Sequence, residues 1–319
     1  MSSEFDLIRR YFTRPAGKAV LGVGDDCALL GTTAGMQLAA STDMLLEGTH
    51  FLPGTDPEKL GRKSLSVNLS DLAACGADPA YALLAIALPR ADEAWVSAFA
   101  RGFFSVAERH GVELIGGDTT RGPLTVCVTV LGEVPAGLAL QRGGARVGDD
   151  VWLSGATGEA ALGLAHLKGA TQLPARSLAA CVQRLEDPVP RVELGARLRG
   201  VAHSAIDVSD GLLADLGHIA ESSRVAIDIE LERLPITEAL QGCPDPALAL
   251  ACVAGGGDDY ELAFTAPASR REELHRMGAE LAIPLTRIGR VREGEGASLR
   301  DASGKAVSIE RRGFDHFAP

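Results

Sequence analysis

The sequence predicts two mixed domains in which strands and helices alternate, which is the pattern of the α+β or α/β class. Three observations carry this. The chain has 319 residues, more than one ordinary domain needs. Apolar residues recur with period two in some stretches and period 3.6 in others, in both halves. Between the halves lies a Gly-rich passage, Pro135-Ala136-Gly137 followed by Arg142-Gly143-Gly144-Ala145. We place the boundary inside it, giving domains 1–137 and 138–319.

In the first half, residues 4–12 carry apolar side chains at helical spacing behind early acids. Residues 18–23 read as a short strand that ends in the acidic turn Gly24-Asp25-Asp26. A strand is expected over 37–43 and a helix over 58–75, closed by Gly76. The apolar run 81–88 reads as a strand buried on both faces. Residues 94–110 form an amphipathic pattern with Trp95, Phe99 and Phe103 inward. A strand over 112–115, a loop over 116–122 and a long Thr/Val-alternating strand over 124–134 complete this half.

The second half opens with a strand over 150–153 and the turn Ser154-Gly155-Ala156-Thr157-Gly158, which leads into a helix over 159–168. Such a turn is also a possible anion site, since a helix start offers free N–H groups. Helices follow over 175–185 and 188–198, a strand over 205–207 and a helix over 212–220. Next come a strand over 226–230, an apolar helix over 247–253, a Gly-rich acidic turn, and a strand over 260–265. A helix over 270–281, short strands and an aromatic tail over 313–317 close the chain.

A net charge of -11 argues against a nucleic-acid partner, which calls for a basic footprint. Six cysteines without a C-x-x-C pair argue against a zinc site or disulfide framework and for reduced cytosolic thiols, with Cys127 and Cys252 as core residues. The N-terminus does not read as a signal peptide, and the longest apolar run is too short to span a bilayer. The expectation is a soluble, cytoplasmic protein.

The familiar nucleotide motifs are missing: no G-x-x-x-x-G-K-[ST] loop, no kinase H-R-D with D-F-G, no G-x-S-x-G elbow. What stands out is a series of acids and hydroxyls set among apolar residues: Asp25, Asp26, Ser41, Thr42, Asp43, Asp71, Asp118, Asp207 and Asp210. A carboxylate in an apolar strand is costly to bury without a partner. Asp43 is the clearest case, while Asp25, Asp118 and Ser209-Asp210 also suit turns or an N-cap. Hard oxygen donors without thiolates favour Mg²⁺ or Mn²⁺, which bridge carboxylates to phosphates. Phosphoryl transfer needs mainly positioning and charge neutralisation, so the absence of an obvious nucleophile fits.

The segments Gly24-Asp25-Asp26, Ser41-Thr42-Asp43 through Gly48-Thr49-His50-Phe51, Asn68-Leu69-Ser70-Asp71, Gly116-Gly117-Asp118-Thr119-Thr120, Asp207-Val208-Ser209-Asp210-Gly211 and Asp259-Tyr260-Glu261-Leu262 occur in one order along nearly the whole chain. In that order they resemble the thiamine-monophosphate kinase family, in the superfamily that holds aminoimidazole ribonucleotide synthetase and selenophosphate synthetase. The resemblance implies an α+β fold with an N-terminal sheet-forming dimerisation domain and a C-terminal sheet-plus-helices domain. It implies direct transfer of the ATP γ-phosphoryl group to thiamine monophosphate, in a homodimer. Asp26, Ser41, Thr42, Asp43, Asp71, Asp118, Asp207 and Asp210 would hold several Mg²⁺ ions. Gly117, Asp118, Arg142 and Ser209 would contact ATP, and His50, Asp258 and Phe314 the acceptor. The family reads Gly-Gly-Glu-Asp where this chain has Gly256-Gly257-Asp258-Asp259, one methylene shorter at 258. Other readings are a different ATP-dependent enzyme of the superfamily, or a non-catalytic nucleotide or cation sensor.

Overall fold

A computed structural model describes residues 3–24, 27–314 and 316–317 of the chain. It divides into two compact units: one of residues up to 72 with 77–137, the other of 73–76 with everything from 138 onward.

The first unit runs α1 (Glu4–Leu7), continued by a wider turn over Ile8–Phe12, then β1 (Met36–Leu46), α2 (Pro57–Cys75) and β2 (Asp78–Leu88). It ends with α3 (Glu93–His110), β3 (Glu113–Arg121) and β4 (Thr125–Pro135). The sheet order is β1-β4-β2-β3, antiparallel except for the parallel β2–β3 pair joined across α3. Helix α3 starts where the Asp92 side chain accepts from the Trp95 N–H and stops at Gly111 in the left-handed region. Helices α2 and α3 cross at two glycines. A Cβ on Gly61 would stand 2.1 Å from the Phe99 carbonyl oxygen, and one on Gly102 1.8 Å from that of Glu58. Nothing larger than hydrogen fits there.

One face of this sheet is closed by α2, with Val126, Val128, Leu84 and Ile86 buried. The other is open. Across it, Met44, Cys127, Ala85 and Asp118 stand in register as one row, and Leu38 (56%), Met44 (54%) and Leu46 (38%) remain exposed. This corrects two expectations. Residues 81–88 are not buried on both faces, because Leu83, Ala85 and Ala87 point to the open side. Cys127 is likewise only half-buried, whereas Cys252 is a core residue. The expected strand over 18–23 reduces to isolated bridge residues, Leu21, which pairs with Leu29, and Val23. The expected loop over 116–122 is strand as far as Arg121, because pairing with β2 carries Gly116 and Gly117 into the ladder.

The second unit contains β5 (Asp150–Ser154), α4 (Glu159–Leu167), α5 (Ala175–Glu186), α6 (Val192–Leu198), β6 (Ser204–Val208), α7 (Leu212–Ser223), β7 (Ala226–Glu230) and α8 (Glu238–Gln241). It continues through α9 (Pro246–Gly255), β8 (Glu261–Ala266), α10 (Arg271–Leu281), β9 (Leu285–Arg292), β10 (Gly296–Arg300) and β11 (Ala306–Val307). The seven strands order as β11-β10-β7-β9-β5-β8-β6, mixed in direction. Successive residues of β5 choose opposite sides: Val151 and Leu153 join the core under α4, α5, α7 and α9, and Trp152 joins the core under α6 and α10. The sheet is thus covered on both faces, and its functional loops emerge at the ends of its strands.

Candidate active site

In the first unit the acids ride on regular elements. Alternation along β1 turns Ser41 and Asp43 toward α2, where Asn68 and Asp71 sit three residues apart on one helical face. Ser41 Oγ donates to Asp71 Oδ2 at 2.5 Å. The Asp43 main-chain N–H donates to Asn68 Oδ1 at 3.0 Å, and Asn68 Nδ2 donates to the Ser64 carbonyl at 2.9 Å, which fixes the orientation of the amide. Thr42 points to the open face, where its hydroxyl reaches the Val128 carbonyl (3.0 Å) and Thr129 Oγ1 (2.9 Å). Gly117 and Asp118 lie on β3, at the opposite edge of the sheet from β1, and Asp118 is exposed on the open face. Within this unit, then, the structure brings together Ser41, Asp43 and Asp71, and leaves the Thr42 hydroxyl and Asp118 outside that group. Asp25 and Asp26 lie outside the described residues.

His50 closes the turn after β1. Its Nδ1 accepts from the Leu46 N–H at 3.0 Å, so any neutral-ring proton sits on Nε2. The buried Lys63 donates to the His50 carbonyl at 3.2 Å and holds that turn in place.

In the second unit the acids sit on loops held by main chain. Asp207 is buried one residue before the end of β6, and Ser209 and Asp210 follow before α7. The loop over 256–260 lies against this turn: the Asp258 N–H donates to the Ser209 carbonyl and the Tyr260 N–H to the Val208 carbonyl, both at 2.8 Å. A Cβ on Gly257 would stand 2.3 Å from the Ser209 oxygen, so the approach requires glycine. Asp258 (φ 68°) and Tyr260 (φ 53°) both take the left-handed region, uncommon for residues with a Cβ. The Tyr260 hydroxyl donates to Asp258 Oδ1 at 3.1 Å, which anchors the shorter acid at that position. From the tail, the Phe314 N–H donates to the Asp210 carbonyl at 2.8 Å, and its ring packs edge-on against His316. Arg142 comes near enough to Asp210 to favour its charge, as do His316 and His218. So Ser209, Asp210, Asp258, Phe314 and Arg142 converge within this unit.

Burial nevertheless pushes the Asp210 carboxyl above its ordinary range, despite these cations. Beneath it, burial pushes Asp215 up to about 7, with the Asp210 charge adding to the effect. Asp215 Oδ2 accepts from the Asp210 N–H (3.2 Å) and the Gly211 N–H (3.0 Å) and so fastens the turn. Among the described residues no group of three or more His, Cys, Asp or Glu converges as a ready-made ion cage. The donors present are carboxylate and hydroxyl oxygens, and burial disfavours the charge on the acids at 210 and 215. Both features fit a hard divalent cation that keeps most of its water.

Sequence reasoning missed three residues that shape these loops. Glu261, 1% exposed, receives a fork from Arg191 (2.5 and 2.6 Å) and the Ser154 hydroxyl at 2.5 Å. Asp259 accepts from the Gly158 N–H at 2.8 Å and from the Ala160 N–H, at the start of α4. Two of the donors at the Ser154–Gly158 turn and the helix start, those of Gly158 and Ala160, are thus taken by the chain's own side chain. Asp215, four residues after Gly211, could have been found as a first-turn acid reaching back to its own helix start.

Two mixed sheets, one with its acids on a strand and a helix and the other with its acids on loops, define a class. The family model "AIR synthase related protein, N-terminal domain" matches residues 24–134, and its C-terminal counterpart matches 146–302. The thiamine-monophosphate kinase of Escherichia coli K12 is 45% identical over 99% of this chain and 98% of its own length. A crystal structure of thiamine-monophosphate kinase from Stenotrophomonas maltophilia K279a superposes with a TM-score of 0.85 at 48% identity, covering 91% of this chain and 92% of that one. A structure of AaThiL complexed with AMPPCP and TMP gives 0.78 at 33% identity, covering 90% and 89%. The chain belongs to the thiamine-monophosphate kinase family and is a kinase. No helix among the described residues is long and apolar enough to cross a membrane.

Proposed function

We propose that this chain is a Mg²⁺-dependent thiamine-monophosphate kinase that moves the γ-phosphoryl group of ATP directly onto thiamine monophosphate, giving thiamine diphosphate and ADP. The observation that carries the reading is the relative complexed with both AMPPCP and TMP, 33% identical over nine-tenths of the chain. The acceptor is a phosphate monoester with a second pKa of about 6, largely dianionic at neutral pH, so no general base is required. The obstacle is bringing two polyanions together. When bound, Mg²⁺ neutralises and aligns their phosphates.

In the first unit Asp26, Ser41, Asp43, Asp71 and Asp118 would hold such ions, and in the second Asp207 and Asp210. Thr42 is the weakest of the eight, its hydroxyl being engaged on the open face. Gly117 and Asp118 in the first unit, and Arg142 and Ser209 in the second, would contact ATP. His50, Asp258 and Phe314 would contact the acceptor. Domain 1–137 would serve dimerisation and ATP/Mg²⁺ binding, and 138–319 would add nucleotide and substrate contacts. The open sheet face with Leu38, Met44 and Leu46 exposed supports a homodimer formed by a second copy. The work would be done in the cytoplasm.

The test is ADP release from ATP and Mg²⁺ with and without thiamine monophosphate, with the product identified by mass. ADP formed only with the acceptor, alongside thiamine diphosphate, is the expected result. Acceptor-independent ADP would point to another enzyme of the superfamily, and ATP binding without turnover to a sensor.

A further inference from the structure

On the α10 side of the second unit's sheet, a groove of about 640 Å³ runs between α10 and β9. It lies on the opposite side from α7 and α9, which carry the acid-bearing loops. Its walls include Arg233, Arg271, Arg287, Arg290 and His275, with Trp152 among the lining residues and no carboxylate. In a chain with a net charge of -11, four guanidinium groups around one cavity are conspicuous.

Two carboxylates beside the groove offset part of this charge. Buried Asp150 takes a fork from Arg271 (2.5 and 2.8 Å) and lies 3.5 Å from Arg287. Glu230 lies 3.4 Å from Arg287 and 2.5 Å from Arg233. No carboxylate among the described residues pairs with Arg290, so the four arginines outnumber their partners by two. A second observation is independent of charge. Trp152 is fully buried, and its indole Nε1 finds no hydrogen-bond acceptor among the described residues. A buried donor without an acceptor is rare and calls for an explanation.

We propose that this groove is an anion site for a small molecule bearing a phosphate or diphosphate group, separate from the kinase site. Guanidinium forks match phosphate oxygens in pairs, and a cavity of this volume suits a metabolite-sized ligand. Arg287 and Arg271, oriented from behind by Asp150, supply preorganised donors. Arg290 supplies the uncompensated charge, and Trp152 lines the groove as a buried ring.

The chain has two tryptophans, so a Trp95→Phe variant leaves Trp152 as the sole indole reporter. Inorganic pyrophosphate would be titrated into this variant in EDTA, with no divalent cation to draw anions to the acid-bearing loops, while Trp152 emission is followed. The expected result is a saturable change whose Kd weakens at least tenfold on adding Arg290→Glu. That side chain is exposed, so the circular dichroism and Tm of the double variant should match those of its parent. Arg142→Glu, at the proposed ATP contact, should leave the Kd unchanged. No saturable response, an equal Kd in the Arg290→Glu chain, or a Kd weakened as much by Arg142→Glu as by Arg290→Glu would each overturn the proposal. The readout is binding and not turnover, so it stands whatever substrate the kinase site takes.

Discussion

The two acid-bearing regions are built in opposite ways. In the first unit, Ser41, Asp43 and Asp71 project from a strand and a helix; a side-chain bond joins Ser41 to Asp71, and the Asp43 main chain is held by Asn68. In the second, Ser209, Asp210 and Asp258 sit on loops whose shape depends on buried acids and main-chain bonds. Where the scaffold is regular, a ligand can be exchanged at little structural cost. Where the acids are part of the scaffold, chemistry and stability change together.

Breaking the second region should have the largest effect. Glu261→Gln strips the charge from a nearly unexposed acid forked by Arg191, and losing one partner of a buried ion pair costs about 3–5 kcal/mol. Urea unfolding should show the midpoint falling, and a loss below about 1 kcal/mol would show that the pair is not a keystone. In the first region, Asp43→Asn should lower kcat by about 10²–10³, the scale of losing one preorganised electrostatic group, with Tm unchanged. Full activity would remove Asp43 from the ion-holding set; a falling Tm would erase the contrast between the regions.

Asp215→Ala sharpens the comparison because Asp215 is placed to touch no ligand. Its loss orphans the N–H groups of Asp210 and Gly211, a cost of about 1–3 kcal/mol, and should raise the KM for ATP. Stability lost without any kinetic change would make Asp215 purely structural. The smallest effect is expected from Thr42→Val, within about 0.5 kcal/mol as for an ordinary surface substitution, and with kcat nearly intact. A large drop in kcat would show that its hydroxyl serves the reaction despite pointing to the open face.

The regular first region was largely legible in the sequence. Periodicity located the helix over Pro57–Cys75 to within a residue, and the cost of burying Asp43 in an apolar strand singled it out. The face each residue takes was less legible. Thr42 and Asp118 share motifs with Asp43 and Gly117, yet strand alternation and a four-strand register send their side chains to the open face. Local patterns carry no information about which sheet face a partner will cover. The second region was legible as a motif and illegible as a structure. Asp259 and Glu261 stood out only as members of a motif with no role of their own, and tertiary contacts with Gly158, Ser154 and Arg191 show them holding the loops. The sequence showed only a Gly-rich acidic turn here, and the residue that Gly257 meets, Ser209, lies far away along the chain.

The carboxylate of Asp259 at the start of α4 has a consequence for how this protein can meet phosphate at all. Many nucleotide folds offer a naked helix start, which greets an anion whether or not a metal accompanies it. Here that berth is filled by an acid of the chain's own, and burial holds its carboxyl well above the ordinary range. A phosphate approaching this loop finds the N–H groups of Gly158 and Ala160 already spent on that side chain. Whatever grips a nucleotide in this unit has to be built from side chains and loops away from the start of α4.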